Sequence, residues 1–82
     1  MEYSLNYSFG NKSYAITQEV NNKANENQLE AIAEGLALTS AEQNHHKSYG
    51  IYTNMVLFEN KTPVWHTQKR GIYKEHAVKF TE

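Results

Sequence analysis

Residues 27–38, Asn27-Gln28-Leu29-Glu30-Ala31-Ile32-Ala33-Glu34-Gly35-Leu36-Ala37-Leu38, decide the fold. Leu29, Ile32, Ala33 and Leu36 recur at i, i+3, i+4 and i+7, which places them on one stripe of a 3.6-residue helix. Burying the three large side chains contributes about 1.5–3 kcal/mol each. A helix this short is marginal alone in water, so the stripe needs an apolar partner. The sequence on either side supplies one. Gly35 interrupts the helix at a cost of about 0.8–1 kcal/mol relative to alanine, and the expected reason is a close approach to that partner.

Upstream, Glu2–Phe9 alternates, with Tyr3, Leu5, Tyr7 and Phe9 on one side and Ser4, Asn6 and Ser8 on the other. That is the period of a half-buried strand. Gly10-Asn11 is a turn pair, and Lys12–Val20 resumes the alternation, so the two runs form a hairpin. Asn21-Asn22-Lys23 then breaks the strand. Asn25 or Asn27 can cap the helix, and Glu26 suits the positive end of its dipole. Thr39 and Ser40 end the helix or begin a second turn through Ala41–His46, where Ser40 and Gln43 have capping-box spacing.

Downstream, Ser48–Phe58 is rich in β-branched and aromatic residues. Strict alternation puts Tyr49, Ile51, Thr53, Met55 and Leu57 on one face, and Tyr52, Val56 and Phe58 on the other. Glu59–Thr62 reads as a turn, Val64–Thr67 as a strand beginning near Pro63, Gln68–Gly71 as a second turn, and Ile72–Phe80 as a last strand. The expected fold is a single α+β domain over residues 1–82. Its two layers are a mostly antiparallel sheet in the order β-β-α-β-β-β and one helix packed on one face.

Bulk properties narrow the function classes. The chain has 82 residues, 39% of them hydrophobic, including six Tyr, three Phe and one Trp, and no Cys. That excludes disulfides, thiolate catalysis and Cys-ligated zinc, and fits a cytoplasmic protein. No apolar run is long enough to span a membrane. The net charge of −1 hides an asymmetry, −4 over residues 1–60 and +3 over residues 61–82. Such a split marks a binding face or draws the two parts together.

No motif carries its own chemistry. His45-His46 with His66 and His76 invites a metal, but adjacent histidines diverge on any regular element and no H-E-x-x-H occurs. Nucleophile elbow, phosphate loop and paired catalytic carboxylates are missing, so neither enzyme activity nor a metal or cofactor is expected. Two protein-binding surfaces stand out. Glu26, Glu30 and Glu34 form an acidic ridge at i+4 spacing, a docking strip for a basic partner. Tyr52, Val56 and Phe58 form an apolar patch on a sheet face, suited to a partner protein or a homodimer. An alternative is a nucleic-acid module in which Trp65 and Tyr73 stack bases while Lys69, Arg70 and Lys74 track phosphates. The pI of about 6.4 weighs against it.

Short, cysteine-free and rich in Asn and Tyr, the chain resembles the small accessory proteins of phages and mobile elements. Some of these inhibit host machines, defence or anti-CRISPR-type inhibitors among them. The resemblance implies a non-enzymatic protein that occupies a surface on a larger host protein or complex.

Overall fold

The computed structural model describes residues 1–72. Four strands, β1 (Glu2–Phe9), β2 (Lys12–Glu19), β3 (Gly50–Glu59) and β4 (Thr62–Ile72), form one antiparallel sheet in the order β2-β1-β3-β4. Helix α1 (Leu29–Asn44), preceded by a 3₁₀ turn at Glu26–Gln28, packs on one face. The two-layer α+β architecture is the expected one.

Both hairpin turns follow from local chemistry. At the first, Gly10 takes φ 66° while Phe9 pairs with Lys12. At the second, Asn60 and Lys61 both have positive φ, the requirement of a type I′ connection between right-twisted strands. Asn60 also ties this turn to β1, since its Oδ1 accepts the Glu2 N–H at 2.9 Å.

Helix α1 is one continuous element through Asn44, not a helix followed by a second turn. Ser40 does not end it. Its hydroxyl points into the core and accepts from the Tyr7 hydroxyl at 2.7 Å and from Asn44 Nδ2 at 3.0 Å. The buried stripe is longer than expected: Leu29, Ala33, Leu36, Ala37, Ser40 and Ala41 are all buried, and Ile32 is at its margin. Small residues at 33, 37, 40 and 41 let the helix sit low on the sheet, where it meets Tyr3, Leu5, Tyr7, Tyr52, Met55, Leu57 and Ile72.

The C-terminal third departs from expectation in two ways. β4 runs unbroken through Gln68–Gly71, which had the look of a turn. Basic residues do not stop an edge strand, and Gly71 simply pairs with Ile51. The expected last strand falls on residues 72–80, of which 73–80 lie outside the described residues.

The second departure is a bulge. β1 pairs Asn6 with Val56 but Ser8 with Thr53, so β3 carries one extra residue opposite Tyr7. Asn54 absorbs it with φ 51°. Alternation is reset there, and Tyr52 turns inward together with Met55 and Leu57. Val56 and Phe58 remain on the other face, so the expected grouping of Tyr52 with them does not hold.

Gly35 makes no close approach to the sheet. It is exposed, and a Cβ built there meets nothing within 4 Å. Gly35→Ala is expected to raise stability by about 0.5–1 kcal/mol. Chemical denaturation of the two proteins measures it.

Candidate interaction surface

On the helix side, the buried tyrosine hydroxyls are engaged within the fold, while Glu34 Oε2, His45 Nδ1 and Arg70 Nε are buried without a hydrogen-bond partner. The Tyr3 hydroxyl donates to Glu59 at 2.7 Å and accepts the Ala24 N–H at 2.8 Å. The Tyr52 hydroxyl donates to the Ser48 carbonyl. Burial raises the pKa of Tyr3, Tyr7 and Tyr52 above the ordinary tyrosine value. His45 closes the end of α1, its ring stacked on Phe9 with centroids 4.3 Å apart and its Nε2 3.0 Å from the Tyr7 hydroxyl.

The acidic ridge is dismantled by packing. Glu34 is fully buried and accepts from Arg70 Nη2 at 2.7 Å, and Glu30 pairs with Arg70 Nη1. Only Glu26 of the three stays exposed without an ion pair among the described residues. Part of the basic excess after residue 60 is thus spent on the acidic helix. The buried Glu34 carboxylate was missed in the sequence. Its signal was its place three and seven residues before Ala37 and Ala41, at the edge of the buried stripe.

The nucleic-acid set is also dispersed. Trp65 pairs with Leu57 and packs against the core on the helix side. Arg70 is held by the two glutamates, and Lys69 lies on the opposite face from both, opposite Thr53. Tyr73 and Lys74 are outside the described residues. The histidines do not converge: His45 sits on the helix side and His66 is exposed on the other face, while His76 is not described. Among the described residues no group of three metal-ligating side chains forms.

What remains is the sheet face away from the helix. Cross-strand pairing arranges it in rows. Thr17, Ser4, Phe58 and Pro63 form one; Ala15, Asn6, Val56 and His66 the next; Ser13, Ser8, Thr53 and Lys69 the third. Hydroxyls link β1 to β2, Ser4 to Thr17 at 2.9 Å and Ser8 to Ser13 at 3.3 Å. Val56 and Phe58 are half-buried by these neighbours, and Ile51 beyond the third row is 41% exposed. None of these twelve positions is acidic, and Lys69 at a corner is the only formal charge. A shallow open depression of about 510 Å³ lies beside Asn6, Ser13 and Asn54. No described helix is long and apolar enough to cross a membrane. No family model, curated protein or solved structure matches the chain.

The Glu34–Arg70 pair has a testable energetic signature. Arg70→Met leaves a carboxylate buried without compensation and is expected to cost about 3 kcal/mol or more. The double variant Glu34→Leu/Arg70→Met removes both charges and is expected to recover most of that loss. Denaturant titrations of wild type, single and double variants measure it.

Proposed function

We propose that this chain is a non-enzymatic binding domain that acts through protein–protein contact, with the sheet face that no other described element covers as its contact surface. The observation that carries this reading is the charge-poor grid of residues opposite the helix. A patch free of charge at its centre, with the aromatic Phe58 among its residues and charges at its margin, shares the charge depletion of a protein interface. Val56 and Phe58, named from the sequence, belong to it. Tyr52, Glu30 and Glu34 serve the fold instead, and exposed Glu26 lies away from the grid, on the helix side.

Such a domain would work by occupying a surface on a larger protein or complex. The inhibitor role of a phage or mobile-element accessory protein is one form of that activity, and its support is size and composition. The nucleic-acid reading is disfavoured because Trp65 and Arg70 are committed to packing and ion pairing, and because Lys69 faces away from both.

A photo-crosslinking residue at Ala15, exposed within the grid, is expected to form adducts with protein that survive nuclease. The same residue at Ala31, exposed on the helix, is expected to form few. Equal yields from both positions, or adducts from Ala15 that nuclease removes, would contradict the proposal.

A further inference from the structure

Among the described strand residues, the face away from the helix carries its charges at two diagonally opposed corners. Glu2 and Glu19 are direct cross-strand partners at one corner, both on this face. Like charges so placed repel. The amino terminus offsets part of this, lying 3.1 Å from Glu19 Oε1, and that glutamate side chain is still 75% exposed. Lys69 occupies the opposite corner, on β4 beside Thr53. Between them lie the rows without carboxylates.

We propose that the occupant of this face is a second copy of the same chain, stacked sheet to sheet with strands crossing near a right angle. The proposal rests on the preceding reading of the face and names its partner. A two-fold axis between the sheets, along the diagonal from Ser13 to Pro63, exchanges the other two corners. Lys69 of each copy then lies over the Glu2–Glu19 corner of the other. Two equivalent ion pairs form at the rim, and each cation reaches a pair of glutamates that lacks a full counter-charge. An orthogonal crossing is one of the two ways sheets pack face to face.

The centre of the face suits a copy of itself. Phe58, Val56 and Ala15 meet neutral side chains, and no charge is buried unpaired. Four strands roughly 4.8 Å apart span about 19 Å, so two such faces crossed at a right angle overlap over about 370 Å². The pair therefore buries roughly 740 Å², the size of a weak, transient interface. The dimer should accordingly have an affinity of roughly a hundred micromolar and be weakened by salt.

Sedimentation velocity of the intact chain between about 10 µM and 1 mM is the test. A reversible monomer–dimer equilibrium is expected. Val56→Lys should abolish it, and Ala15→Arg, at an exposed position that leaves the core untouched, should do the same if Val56→Lys fails to fold. Lys69→Glu should weaken the dimer roughly tenfold through loss of two rim pairs, and Lys69→Glu/Glu19→Lys should restore it. A wild-type monomer at every concentration overturns the proposal, as does a dimer indifferent to Ala15→Arg and Lys69→Glu. A monomer that still crosslinks a foreign protein through Ala15 overturns only the second copy. A monomer that crosslinks nothing there removes the reading of the face as well.

Discussion

Opposite Tyr7, strand β3 carries one residue more than strand β1, and Asn54 takes up the excess in a left-handed conformation. Side chains in a regular strand point alternately to the two faces, so one added residue exchanges the faces for everything beyond it. Without it, Tyr52 would stand on the open face, and α1 would lack the ring that packs against Tyr7 and Phe9 at centroid distances of 5.2 and 4.9 Å. With it, Tyr52, Met55 and Leu57 all join the core, while Val56 and Phe58 stay with the serines and threonines of β1 and β2. The covered face and the uncovered face are both products of that insertion.

The helix side shows how a small sheet domain accommodates large polar side chains. Three fully buried tyrosines bring three hydroxyls into the core, and each finds a partner, at Glu59 and Ala24, at Ser40, and at Ser48. A buried hydroxyl left without a partner would cost on the order of 1–3 kcal/mol, so these bonds are conditions for using tyrosine there at all. Small helix residues make room for the rings. The same logic governs Glu34, whose burial is tolerable because Arg70 reaches it from the edge strand. Arg70 thereby fastens β4 to α1, and its charge is unavailable to an outside partner.

Much of the architecture was legible because it rests on strong local signals. The β1 alternation, both turns and the apolar stripe of α1 each follow from side chains within a few residues of one another. Asn54 was not legible in that way. An asparagine inside an apolar run fits either a regular strand or a left-handed residue, and only the pairing with β1 decides between them. Ser40 misled for a similar reason: a residue that often starts or stops helices here serves a tyrosine 33 positions away. Glu34 and Arg70 looked like separate charge clusters because each was read without the element that packs on it. For the surface, Val56 and Phe58 follow from strand alternation, but the polar rows around them emerge only from strand register.

Both faces therefore depend on the backbone at Asn54, and residue preference there reports its conformation most directly. Asn54 is exposed, so substitution tests conformation with little change in packing. In a left-handed bulge, glycine should be at least as stable as asparagine, and valine worse than asparagine by roughly 1 kcal/mol or more. In a regular strand the order is reversed, with valine the best of the three and glycine the worst. Denaturant unfolding of Asn54→Gly and Asn54→Val beside the wild type gives that order. Glycine at or above asparagine and above valine is the predicted result; valine above asparagine with glycine last would contradict the arrangement of both faces.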